Sequence, residues 1–415
     1  MMALLSLSLS LALALALGCG CRPAAGTDVD IAALGCKPGG GPCTQAFAAA
    51  MRQVSAGGGG TIHVRGPGPV TTAGIEMLSH VTLQVHAGAS INASARLADW
   101  APRRLVFPAC AAGQDPPELD HGVLGGLFYA SLQTNFTIKG PGAVNGAAKA
   151  WNGYGAAASS GMPVTAAAAA AAAVASTGAA ALIRSNMFVF SQCTDVVVED
   201  LLIQDSSAWT LNPQYSQRLS FRRLHIDAPA LGRHGHNTDG FDPWACEDAE
   251  FVDSYYSAGC GPTSKTPCRA CLATVTNLFL PKYFCRRDDC VAVKSGKDSN
   301  ATAAGAWPCG TSWPSRNITI NNITCDGSHG LTIGSEMSGG IEDVRFTNIR
   351  IYNSGPSVRI KSQCGRQAWV RNILYENITG DNLANAVWID MQYFSTATSC
   401  PAAEVSQFSN ITVTD

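Results

Sequence analysis

The chain has 415 residues, a formal net charge of −2 and only 14% charged residues. That length suits one large domain or two medium ones, and the charge balance gives no reason to expect a nucleic-acid partner or a global attraction for an acidic polymer. Glycine is abundant at 42 residues, which favours a turn-rich β architecture over a helical one.

In chain order, Leu4 to Leu17 alternates Leu, Ala and Ser before Gly18, Cys19, Gly20 and Cys21. The stretch is short for a membrane span and ends in small residues, so residues 1–25 read as a secretion signal, although a basic start is missing. A lipoprotein anchor at Cys19 fits poorly, because Ala16-Leu17-Gly18 departs from that pattern. No other segment is long and apolar enough to span. Sixteen cysteines suit an oxidising compartment. Seven Asn-x-Ser/Thr triplets, at Asn92, Asn135, Asn300, Asn317, Asn322, Asn377 and Asn410, agree with a secretory route, and some are expected to carry glycan.

Thr44 to Ser55 places Phe47, Ala50, Met51 and Val54 on one helical face, and Gly57 to Gly60 stops the helix. Strand-like runs follow at Thr61–Val64 and Val81–Val85, then Asn135 to Gly146 with a Gly-Pro-Gly turn. Gly155–Ala181 is almost all small residues, including the pure alanine run Ala166–Ala173; with no amphipathic face it reads as a low-complexity surface insertion.

After residue 190, apolar residues recur at x, x+2 and x+5. The sets are Val196, Val198, Leu201; Leu219, Phe221, Leu224; Ile318, Ile320, Ile323; Val344, Phe346, Ile349; and Ile373, Tyr375, Ile378. The x, x+2 pair is strand alternation, and the further offset of three implies a bend into a second short strand. Neighbouring sets start 23 to 29 residues apart (196 to 219, 318 to 344, 344 to 373). That period predicts a solenoid of stacked coils, a parallel β-helix, with the N-terminal helix capping its open end. The chain stops at Asp415 directly after a coil-like Phe408–Val413 with no C-terminal cap in view, which reads as a fragment.

Four words then carry chemistry: Asn237-Thr238-Asp239-Gly240, Asp288-Asp289-Cys290, Ser328-His329-Gly330 and Arg359-Ile360-Lys361. Coils stack at about 4.8 Å, so residues on one face of adjacent coils become neighbours. Asp239, Asp288 and Asp289 so close together cannot all stay charged; one keeps its proton, as acid and base cleavage of a glycosidic bond requires. Arg359 and Lys361 alternate onto one strand face and suit a sugar that bears a carboxylate. Asp242 reads as a turn residue or a ligand to the backbone. His234 and His236 lack a third partner that would suggest a metal.

These words, in this order, resemble the polygalacturonases, a pectin-cleaving family of glycoside hydrolases (family 28), over most of the chain after residue 40. The resemblance implies a right-handed parallel β-helix with Asp288 as general acid, Asp239 and Asp289 activating water, and inversion at the anomeric carbon. It places His329 beside the acid, and Asn237, Arg359, Lys361 and Tyr393 on the substrate. Ser328 stands where the family usually has Gly. The family sets the first two words on adjacent coils, yet Asp239 and Asp288 lie 49 residues apart (239 to 288). Cys260–Arg287 is therefore expected to be a Cys-rich insertion or a retained intron, within a β-helix domain of residues 26–415.

Among the cysteines, Cys36 with Cys43 is the obvious disulfide, Cys364 with Cys400 is a further candidate, and Cys290 is expected to be a small core residue. The whole reads as a secreted or cell-wall monomeric hydrolase acting on pectic polysaccharide, without cofactor, metal or membrane. Endo or exo action is open, though KSGKD and GSEMSGG look more like the exo-acting branches. The rivals are rhamnogalacturonan or xylogalacturonan hydrolysis, a calcium-dependent pectate lyase, and a wall-binding β-helix without turnover.

Overall fold

The computed structural model describes residues 26–100, 126–148, 186–228, 237–258, 288–296, 313–393 and 399–415. The expected signal segment, the alanine-rich and Cys-rich insertions, His234, His236 and Asn300 lie outside these residues.

Among the described residues every strand pairing is parallel, and the chain winds as a right-handed parallel β-helix. One face is built from two four-stranded sheets. The first contains Ile75–Glu76, Gly126–Ser131, Asn186–Ser191 and Leu211–Gln214. The second contains Val291–Val293, Leu331–Ile333, Pro356–Lys361 and Asn385–Asp390. A single coil joins them: Phe241 bridges Leu211 to Val291, and Trp244 bridges Gln214 to Lys294. The other faces merge at the long bent strand Glu247–Ser257 and continue through Ser315–Asp326, Ile341–Tyr352 and Trp369–Asp381.

The x, x+2, x+5 rule is visible as pairing. Val196 faces Leu219, Ile318 faces Val344, and Val344 faces Ile373. The bend at each coil comes from two left-handed residues, one before x and one at x+4, such as Asp195 and Asp200, Asn317 and Asn322, or Asn372 and Asn377. Asn and Asp tolerate that conformation best after glycine. Their side chains then link coil to coil: Asn322 Nδ2 donates to Asp253 Oδ1 at 2.8 Å and Asn377 Nδ2 to Asn348 Oδ1 at 2.8 Å. Four of the seven Asn-x-Ser/Thr triplets, at 317, 322, 377 and 410, sit in these exposed turn ladders, so turn geometry alone accounts for asparagine there.

One coil escapes the sequence pattern. Ala249 and Phe251 occupy x and x+2, but Ser254 stands at x+5. Its hydroxyl accepts from Leu224 N and donates to Val252 O, so the polar residue is satisfied where the neighbouring coils have apolar ones.

The interior is a column of stacked side chains. Phe128 stacks on Phe188 at 4.8 Å between ring centroids and Phe346 on Tyr375 at 4.6 Å. Such pairs add about 1 kcal/mol beyond area burial, and Phe346→Ala would cost about 3–5 kcal/mol. The helix Thr44–Ala56 closes the N-terminal end and buries the anticipated Phe47, Ala50, Met51 and Val54. It ends at Gly57. At Gly60, φ is +145° and a Cβ would lie 2.2 Å from Thr27 O, so only glycine lets these strands close.

Disulfides join Cys36 to Cys43, Cys364 to Cys400, and Cys290 to Cys325. The third corrects the expectation for Cys290: it is buried in the core, but it is bonded to Cys325 near the end of the strand Ser315–Asp326. Cys193 and Cys246 are buried free thiols.

Candidate active site

The site lies on the face where the two four-stranded sheets meet. Asp239 reaches it because its own coil is held on both sides. Its carbonyl accepts from Thr210 N at 2.9 Å, and Gly240 N donates to Asp289 O at 3.1 Å. Tyr256 supports the turn from inside, its hydroxyl donating to Thr238 O at 2.9 Å. A Cβ at position 240 would lie 2.5 Å from Cys290 O and 2.7 Å from the Tyr256 ring, so glycine sets how closely the Asp239 and Asp289 coils approach. Although Asp239 and Asp288 lie 49 positions apart in sequence, the two motifs are on adjacent rungs.

Asp288 is fixed by backbone. Its carboxylate accepts from Asn237 N at 2.7 Å and Asp289 N at 3.1 Å, and its carbonyl accepts from His329 N at 3.0 Å. His329 Nδ1 stands 3.8 Å from Asp288 Oδ1. Asp289 is fully buried. It accepts from Lys361 Nζ at 2.6 Å, Thr332 Oγ1 at 2.8 Å and Arg359 Nη1 at 3.4 Å. Ala292, Thr332, Arg359 and Trp388 form one outward column across successive strands. The two cations are buried under aromatic rings: Arg359 lies 4.9 Å from the Trp388 centroid and 5.3 Å from Tyr393, and Lys361 lies 5.1 Å from Tyr393. The structure thus brings Asn237, Asp239, Asp288, Asp289, His329, Arg359, Lys361 and Tyr393 to one place.

It also adds residues that the motif reading missed. Asp242 is a buried carboxylate on this face rather than a turn residue or a backbone ligand. Lys294 Nζ lies 3.1 Å from Glu336 Oε2, 3.7 Å from Asp242 Oδ1 and 4.7 Å above the Trp209 ring. The available signal was strand alternation: Val291 and Val293 face inward, which turns Lys294 outward beside Asp242.

Proton placement follows from burial and neighbours. Burial pushes Asp239 well above the ordinary carboxylate value, and the charges of Asp242 and Asp288 push the same way. Burial likewise raises Asp242, to about 8, although Lys294 pulls against it. For Asp288, burial also acts upward, but His329, Lys361 and the Asn237 N–H outweigh it and hold the carboxyl well below its usual range. Glu336 is held low, since Lys294 and Lys361 outweigh its burial. Lys361 stays charged because Asp289 overcomes desolvation. In the ligand-free cleft the resident proton therefore sits with Asp239 and Asp242.

Ligand atoms of Asp288, Asp289 and His329 lie within 4.8 Å of one another. Calcium takes six to eight oxygen ligands. Here one of three groups is an imidazole, and Asp289 is already committed to two cations, so the set fits calcium poorly.

Residues 281–415 match the family model described as Glycosyl hydrolases family 28. This segment carries all the site words except Asn237 and Asp239, which the adjacent rung supplies. Over that C-terminal third the chain is similar to this family. A probable polygalacturonase of Vitis vinifera is 26% identical over 360 residues, covering 85% of this chain and 60% of the relative. A probable endopolygalacturonase D of Neosartorya fischeri is 27% identical over 232 residues, covering 52% of this chain and 39% of the relative. The chain thus spans 60% or less of the length of these curated relatives. In fold it is similar to a hyperthermoactive exopolygalacturonase from Thermotoga maritima (TM-score 0.69, 22% identity, covering 90% of this chain and 78% of that one). It is also similar to the polygalacturonase of Erwinia carotovora (TM-score 0.64, 17% identity, 95% and 85% covered). The described residues hold no helix long and apolar enough to cross a membrane.

Proposed function

We propose that the chain is a secreted polygalacturonase that hydrolyses α-1,4 links between galacturonates in pectin, in the exo mode. The observation that carries the reading is the rung-by-rung order of the cleft. Asp239, the Asp288–Asp289 pair, Thr332 and the Arg359/Lys361 pair occupy successive coils, with both cations on Asp289. Carboxylates supply acid and base, and adjacent cations suit a sugar carboxylate. The match of residues 281–415 to the family model and the polygalacturonase names of its curated relatives support the substrate. Exo action is supported by the KSGKD and GSEMSGG words, and the signal-like residues 1–25 support secretion.

Asp288 would protonate the leaving oxygen, while Asp239 and Asp289 activate water. In the free cleft Asp288 is ionised. Galacturonate entering beside Lys361 would engage one of the cations that hold Asp288 low and would displace water, both raising its proton affinity. A second assignment, favoured by the resident proton, makes Asp239 the acid.

Reducing-sugar release from polygalacturonate tests the reading, comparing wild type with Asp288→Asn while absorbance near 235 nm is followed. Release lost in the variant, with no absorbance rise, is the expected result. An absorbance rise would mean lyase chemistry, and no release from folded protein would end the proposal for this substrate. A dinitrophenyl galacturonide separates the acid assignments. Its leaving group needs no proton, so the variant lacking the acid keeps activity on it and the variant lacking the base does not.

A further inference from the structure

We infer that Lys294 is a positioning residue: clamped between Glu336 and Asp242, it supplies the positive charge on the Asp239 side of the cleft that keeps a water-activating carboxylate available. The inference rests on the hydrolase reading above.

Two sets of charges meet on this face. On one side, Arg359 and Lys361 are both engaged by Asp289. On the other, Asp239 and Asp242 are buried on one coil, and among the described residues Lys294 is the cation in contact with that pair, through Asp242 at 3.7 Å. Lys294 is itself held in place. Trp244 and Lys294 are bridged between coils, Lys294 O accepts from Ala245 N at 3.0 Å, and the Trp209 ring lies over the ammonium. Glu336 fixes its far side at 3.1 Å. Asp239 and Asp289 also favour the charge of Lys294, and Lys361 opposes it across the cleft.

An uncompensated pair of buried aspartates would hold its protons to higher pH and leave no base. Lys294 opposes that, and it acts through Asp242 without needing to touch substrate. Glu336 restrains the effect by drawing the ammonium the other way. Substitutions of Lys294 and Glu336 should therefore move proton affinity on Asp239 and Asp242 in opposite directions.

The test is the pH profile of kcat/KM on polygalacturonate for wild type, Lys294→Met, Lys294→Arg and Glu336→Gln, with folding checked by circular dichroism. The base must be ionised, so the acid-side limb reports its pKa. Lys294→Met should move that limb upward by roughly one pH unit or more, with kcat lost more than KM is raised. Lys294→Arg should restore much of the shift, and Glu336→Gln should move the limb downward. A lysine with a merely structural role would lower kcat evenly across pH with the limb in place, and that outcome overturns the inference. Carboxyl titration of aspartate-13C-labelled protein by NMR reads the same groups without turnover. If wild type releases no reducing ends, the hydrolase reading fails, and the titration alone decides. A raised carboxyl midpoint in Lys294→Met supports the charge role, and an unmoved one ends it.

Discussion

At the scale of single residues, the site is locally expensive. Asp242 is fully buried and raised to about 8, whereas its ordinary value is 3.8. A carboxyl whose folded pKa exceeds its unfolded one opposes folding increasingly as pH rises from the unfolded to the folded value, and costs nothing below both. Asp242→Asn should therefore raise the melting temperature by several degrees at pH 8 and leave it unchanged near pH 3. An equal change at both pH values would mean that packing, not charge, is responsible. Glu336 has the opposite sign: its depressed pKa stabilises at neutral pH and the contribution is lost on acidification. A further residue-level case is Tyr375, buried with its hydroxyl unpaired among the described residues and its ring stacked on Phe346. Tyr375→Phe removes an unsatisfied polar group and keeps the stack. It should be neutral or stabilising by about 1 kcal/mol, as read by denaturant midpoint.

At the scale of elements, the Cys290–Cys325 bond ties the segment that carries Asp288 and Asp289 to the long strand Ser315–Asp326. Native disulfides typically contribute about 2–4 kcal/mol, and this one also sits one residue from Asp289. Cys325→Ser should lower the melting temperature and reduce kcat, while Cys36→Ser, at the N-terminal end, should lower stability with kcat retained. Equal effects on kcat would remove the link between this bond and the site. The same element marks what sequence could reveal. The helix face of Phe47, Ala50, Met51 and Val54 and the x, x+2, x+5 coils are local patterns, because helical and strand periods write themselves into neighbouring residues. The candidate aspartates Asp239, Asp288 and Asp289 were legible because each motif word is a short contiguous run. Cys290's partner, Asp242's burial and the Lys294–Glu336 pair depend on which rung lies beside which. Register between coils is a long-range property. The long gap between Asp239 and Asp288 and the Ser254 coil, which breaks the apolar pattern, hid it from the sequence.

For the molecule as a whole, a net charge of −2 must be reconciled with an anionic polymer as the proposed substrate. The cleft cations do not project a strong field, since Arg359 and Lys361 are paired with Asp289 and Lys294 with Glu336. The ladders on the outer turns are mixed in sign as well, with Arg218 on Asp195 and Arg223 on Asp200. Long-range steering should therefore be weak, and recognition should come from exchange of partners at short range, where a sugar carboxylate takes a share of Arg359 and Lys361. Salt screens exposed charges over about 10 Å at 0.1 M but acts much less on buried pairs. Raising ionic strength from 0.05 to 0.3 M, values chosen to span about 14 to 6 Å of screening, should change KM for oligogalacturonate only a few-fold and leave kcat unaltered. Arg359→Gln should raise KM far more than salt does. A steep power-law dependence of KM on salt, as seen when many exposed cations release counterions, would instead locate binding on an extended basic surface and would count against a cleft that recognises its substrate one carboxylate at a time.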